Sequence, residues 1–101
     1  MFIYNITVKV DRNIADEWIE WQNKIHIPDV MHTGLFYEYH FFHLLEQDDS
    51  EEKTFVIQFV ASTLNDYEKY IQLHAQGLRT KTFEKWGNKF ISFRTLLESV
   101  K

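Results

Sequence analysis

Trp18-Ile19-Glu20-Trp21-Gln22-Asn23-Lys24-Ile25-His26-Ile27-Pro28, followed by Thr33-Gly34, decides how this chain is read. Ile14, Trp18, Trp21 and Ile25 recur at i, i+4, i+7 and i+11, one apolar stripe on a helix. Proline disfavours the αR region for the residue before it, so the helix is expected to break near His26. Pro28 then suits the first turn of a short helix over residues 28–32, and Gly34 is a natural left-handed terminator.

Outward from that stretch the signals are regular. Residues 2–10 alternate as a strand, with Phe2, Tyr4, Ile6, Val8 and Val10 on one face and Ile3, Asn5, Thr7 and Lys9 on the other. Asp11 or Asn13 can cap the helix that follows. Residues 35–46 carry the β-branched and aromatic bias of a strand, residues 47–52 form an acidic solvated turn, and residues 53–61 complete a hairpin. Thr63 is a good N-cap with Asp66 at the capping-box position. The second helix presents Tyr67, Ile71, His74 and Leu78 on one face and runs to Trp86, where Gly87 closes it. Residues 89–98 are the last strand. Strand, helix, strand, strand, helix, strand is a split βαβ: an α+β, ferredoxin-like plait with a four-stranded antiparallel sheet and both helices on one face. At 101 residues the chain holds one such domain, residues 1–101.

Helices cover only one face of a plait. The helix-facing set is expected to be Tyr4, Ile6, Val8, Phe55, Ile57, Phe59, Ile91, Phe93 and Leu97. The open set is then Ile3, Asn5, Thr7, Val56, Gln58, Val60, Ser92, Arg94 and Leu96. Aromatics make up 17% of the chain, more than two helices and one sheet face need, and strand two is aromatic on both faces. Such a surface calls for cover. Two copies packed open face to open face, a dimeric α+β barrel, supply it, so a homodimer is expected.

The formal net charge of −4 and the lack of any basic run argue against nucleic acid as a partner. Absence of cysteine removes disulfides, thiolate metal sites and cysteine nucleophiles. The N-terminus alternates like a strand and does not read as a signal peptide, and no apolar run approaches the ~18 residues of a membrane span. A cytoplasmic protein is the expectation.

His26 is the best candidate for chemistry, because an imidazole titrates near neutrality and can shuttle a proton. A helix C-terminus would favour its charged form; alternatively the ring donates to helix-end carbonyls and fixes the turn. Arg94, Gln58 and Asn5 are polar groups on an otherwise apolar sheet face. Arg94 either pairs with Glu38, Glu98 or a partner-chain carboxylate, or anchors an acidic ligand. Trp18 and Trp21 either stack on a planar ligand or belong to the core. His40 and His43 point to opposite faces of a strand and cannot share a metal. His74 reads as a packing histidine. No metal-site spacing, phosphate loop or nucleophile elbow is present, so neither metal nor cofactor is expected.

Tyr4-Asn5-Ile6-Thr7-Val8, Trp18/Trp21, His26-Ile27-Pro28, Thr33-Gly34-x-Phe36, Leu78-Arg79, Phe83, Gly87-x-Lys89 and Phe93-Arg94-Thr95 together resemble a small bacterial family known only as a domain of unknown function (DUF4286-like). More remotely, His26-x-Pro28 after a first helix looks like the dimeric barrel superfamily of EthD-like proteins and antibiotic-biosynthesis monooxygenases. That resemblance implies a pocket for aromatic or polyketide-like molecules between sheet and helices. It also implies, in some members, chemistry without metal or organic cofactor, and in others haem degradation, for which His26 or His74 would have to serve as axial ligand. The functional expectation is a homodimer binding a small aromatic or acidic molecule, with cofactor-independent proton transfer or oxygenation through His26 as the chemistry such a site could carry. The alternative is a non-enzymatic interaction module with a filled barrel.

Overall fold

A computed structural model describes residues 1–101. Strand β1 (Phe2–Asp11) leads into a helix built of α1 (Ala15–Trp21), a π turn (Gln22–His26) and α2 (Ile27–Met31). The hairpin β2 (Glu38–His43) and β3 (Glu52–Ala61) follows. A second helix comprises α3 (Leu64–Tyr70), a π turn (Ile71–Ala75) and α4 (Gln76–Trp86), and β4 (Phe90–Glu98) ends the fold. The sheet is antiparallel in the order β2-β3-β1-β4. This is the ferredoxin-like plait that the element order implies.

Local chemistry accounts for the element ends. Asp11 accepts a hydrogen bond from the Asn13 amide at 2.8 Å, and Thr63 Oγ1 accepts one from the Asp66 amide at 3.1 Å. Gly87, at φ 60°, closes α4 with its N–H on the Phe83 carbonyl at 2.7 Å. The core lies between sheet and helices, where Tyr4, Trp18, Ile27, Phe36, Phe55, Ile57, Phe59 and Tyr70 are buried.

The first helix departs from expectation. It does not break near His26: Ile27 keeps helical angles (φ −60°, ψ −46°) directly before Pro28. Within an α-helix the Pro28 ring would collide with the Lys24 carbonyl and leave it without a donor. The π turn relieves this by lengthening the hydrogen-bond step, so that the Ile27 N–H reaches the Gln22 carbonyl five residues back. The extra residue rotates everything beyond it by about 100°, one helical step. Ile25, which the periodicity places in the core, is therefore 49% exposed, while Gln22, Ile27 and Val30 are buried and His26 is turned inward. Within the second helix the buried positions likewise step by five from Tyr70 to Ala75 across the second π turn. No proline accounts for that one.

Two further corrections concern the strands. Strand β2 begins at Glu38, and Phe36 is a buried loop residue; Tyr39, Phe41 and His43 face the helices, while Glu38, His40 and Phe42 face away. In β4, Arg94 sits opposite Ile6, Ser92 opposite Val8 and Leu96 opposite Tyr4. Those three residues therefore lie on the helix-facing side, and Ile91, Phe93 and Leu97 on the open side, the reverse of the sequence-based assignment. The Lys89 carbonyl accepts from the Asp11 amide at 2.9 Å and fixes this register.

Candidate functional site

The register of β4 and the twist of the π turns bring separated residues to one cavity. It lies between the sheet and the helices and has a volume of about 40 Å³. Trp18, Gln22 and His26 line it from the first helix, Leu78, Arg79 and Thr82 from α4, and Phe90, Ser92 and Arg94 from β4, over a floor of Tyr4, Ile6, Val8 and Ile57. Ligand pockets for drug-sized molecules measure about 300–1,000 Å³, so this one admits a short molecule or the acidic end of a longer one.

His26 lies inside a continuous helix, with no helix-end carbonyl to cap and no helix terminus to favour its charge. Its ring stacks on Trp21 at 5.1 Å between centroids with 21° between the planes. Burial is the main cause that depresses its pKa to about 4, with Arg94 and Lys81 acting in the same direction and Asp29 against them. The imidazole is neutral at pH 7, which corrects the expectation of a charged anion binder. Thr82 Oγ1 gives its only proton to the Leu78 carbonyl at 3.0 Å, so at its 3.5 Å contact with His26 Nδ1 it can only accept. The tautomer with its proton on Nδ1 is the one that matches this long contact, and it leaves the Nε2 lone pair free.

The guanidinium groups dominate the rest of the cavity. Arg79, half-buried, donates from Nη2 to the Tyr4 hydroxyl at 3.1 Å, while its buried Nε–H has no partner. Arg94, itself exposed on the edge strand β4, makes no hydrogen bond with protein and has no carboxylate within 4.0 Å. The expected ion pairs with Glu38 or Glu98 do not form within the chain; Glu38 sits beside His40 instead, at 3.5 Å. Two other cavity-lining side chains hold unpaired buried atoms, Trp18 Nε1 and Gln22 Oε1, on residues only 1% and 3% exposed. Burial also raises the Tyr70 pKa, keeping that phenol a proton donor.

Of the residues singled out in the sequence, the structure gathers His26, Arg94 and Trp18 at the cavity. Trp21 stands beside it, stacked on His26 and edge-on to Trp86 at 5.9 Å. Asn5 and Gln58 are elsewhere. They lie on the opposite face of the sheet, where Gln58 Nε2 donates to Asn5 Oδ1 at 3.1 Å and Asn5 Nδ2 donates to Thr95 Oγ1 at 3.3 Å. Gln22 and Arg79 are not among the sequence candidates. The signal that could have found Gln22 is its ordinary i+4 spacing from Trp18, and Arg79 follows from the step Tyr70–Ala75–Arg79 once a π turn is allowed in the second helix. His74 packs on Tyr70 at 6.3 Å, as a packing histidine should.

Solved structures share this architecture. A dimeric ferredoxin-like protein from an uncultured marine organism matches with a TM-score of 0.75 at 8% identity, over 100% of this chain and 96% of its own. HapK from Hahella chejuensis matches at 0.72 and 9% identity, over 99% and 93%. An EthD family protein from Bacillus halodurans matches at 0.69 and 8% identity, over 99% and 100%. At these identities the likeness is one of fold. No curated protein matches the chain in sequence. A family model, by contrast, matches residues 1–100, and the chain belongs to that family, DUF4286, a domain of unknown function.

Proposed function

We propose that the chain works as a cytoplasmic homodimer that binds a small acidic organic molecule between sheet and helices. The observation that carries this reading is the pair of guanidinium groups, Arg79 and Arg94, lining one cavity with no carboxylate partner in a chain of net charge −4. A carboxylate supplies the missing countercharge through charge-assisted hydrogen bonds. His26, neutral and with Nε2 free, is the group that would accept a proton from a bound acid's neighbouring C–H or O–H. Tyr70, which also lines the cavity, remains a donor. The open sheet face supports the dimer: on one edge strand Ile91, Phe93 and Leu97 are 55%, 56% and 43% exposed, and on the other edge Phe42 is 52% exposed. Joining two such faces removes an apolar surface that a monomer would leave in water.

Titration with small carboxylates, acetate through benzoate, tests the reading, with Trp18 in the cavity wall as a fluorescence reporter. Saturable quenching in the wild type that is weakened at least tenfold in Arg94→Gln supports it; an identical response in both proteins overturns it. The small cavity volume favours a second reading, an interaction module whose barrel is filled by side chains. Absence of any saturable response in the wild type would favour that second reading.

A further inference from the structure

The unpaired groups in the cavity are of two kinds, and a bare carboxylate serves only one of them. It is acceptor-only when ionised, so it satisfies donors: the guanidinium groups of Arg79 and Arg94 and the Trp18 indole N–H. It offers nothing to an acceptor. Gln22 Oε1 is buried, on a side chain only 3% exposed, and has no partner. His26 supplies a second acceptor in the tautomer that matches its 3.5 Å contact with Thr82, the one protonated at Nδ1. Both acceptors belong to one π turn, at its first and last residues, and both line the cavity from the first helix. The arginines approach from α4 and β4. A buried acceptor left unmade costs about 1–3 kcal/mol, so an occupant that leaves Gln22 Oε1 unserved is a poor fit.

We infer that the occupant is a short hydroxy acid, a carboxylate with an O–H donor one or two carbons away. Its anionic end would meet Arg79 and Arg94, and its hydroxyl would meet the acceptor pair Gln22 and His26. This rests on the acid-binding reading above and adds the second recognition element. The volume of about 40 Å³ keeps the two groups close together in the ligand. An amine donor would serve the acceptors too, but its charge would sit against the two guanidinium groups, so a neutral hydroxyl is the better match.

Paired titrations of ¹⁵N-labelled protein with glycolate and with acetate test the inference, following the Trp18 indole N–H resonance. Glycolate is expected to bind at least tenfold more tightly than acetate. Gln22→Leu, which replaces the unpaired amide by an apolar side chain of similar size, is expected to bring glycolate down to the affinity of acetate while keeping the wild-type spectrum elsewhere. His26→Gln, which keeps a polar side chain at the second acceptor position, is expected to reduce the preference without removing it. Equal binding of the two acids by the wild type, or a glycolate preference that survives in Gln22→Leu, overturns the hydroxyl assignment and leaves the acid-binding reading standing. Failure of both acids to bind the wild type overturns both.

Discussion

Replacing His26 by Gln should flatten the acid limb of the stability curve. In the folded chain the imidazole is held at a pKa of about 4, chiefly by burial, against an ordinary value of 6.5 in the unfolded chain. Between those two pH values the unfolded state binds a proton that the folded state refuses, so stability rises with pH through this window. It is fully present above 6.5, is lost as pH falls toward 4, and levels off below. At about 1.4 kcal/mol per pH unit, the wild type loses about 3 kcal/mol across the window on account of this one side chain. Glutamine keeps a polar side chain at that position and takes up no proton. Urea denaturation of both proteins at half-unit steps from pH 7.5 to 4 measures the difference directly, since contributions from the other titrating groups are common to both. The wild-type curve should fall more steeply than the variant's between pH 6.5 and 4, the gap reaching about 3 kcal/mol. Parallel curves would refute a buried neutral imidazole, and with it the assignment of Nε2 as a free acceptor.

The shifted helical phase makes a stability prediction that opposes the sequence pattern. Ile25→Gln should change stability by no more than about 0.5 kcal/mol, whereas Ile27→Ala should cost about 2–4 kcal/mol, read from urea midpoints. The reverse order would restore an unbroken α-helical stripe. On the open sheet face, Phe93→Glu should leave the circular dichroism spectrum unchanged and convert a dimer to a monomer in light scattering; a dimer that persists would place the subunit contact elsewhere.

Much of the fold is written locally in the sequence. The alternation of residues 2–10 gives β1, Thr63 and Asp66 mark the start of α3, Gly87 closes α4, and the order of elements leaves little choice of topology. Two features are not local. The first is the phase of each helix, because periodicity assumes a constant step and a π turn adds a residue without a strong composition signal. Pro28 reads as a helix break, and the chain answers it with a wider turn. The second is the register of β4. Ile91, Phe93 and Leu97 are more apolar than Phe90, Ser92 and Arg94, so hydropathy assigns the first set to the core, yet pairing with β1 puts them outside. Hydropathy misleads here because β4 carries its more apolar side chains, Ile91, Phe93 and Leu97, on the open face, which is also the argument for a second copy covering that strand.

The site suffers from both. His26, Arg94 and Trp18 are individually legible as candidates, but their convergence depends on the β4 register, and the sequence places Arg94 with Asn5 and Gln58 on the far side of the sheet. Arg79 becomes visible only when the second π turn has rotated it inward, and Gln22, one α-helical turn after Trp18, is masked by its polarity.

Native mass spectrometry of freshly purified protein tests the central claim most directly, because it reads subunit count and retained ligand together. The account predicts a dimer of the 12.3 kDa chain carrying a small acidic adduct that is absent from Arg94→Gln. A monomer, or a dimer that neither retains nor takes up a carboxylate, would contradict it.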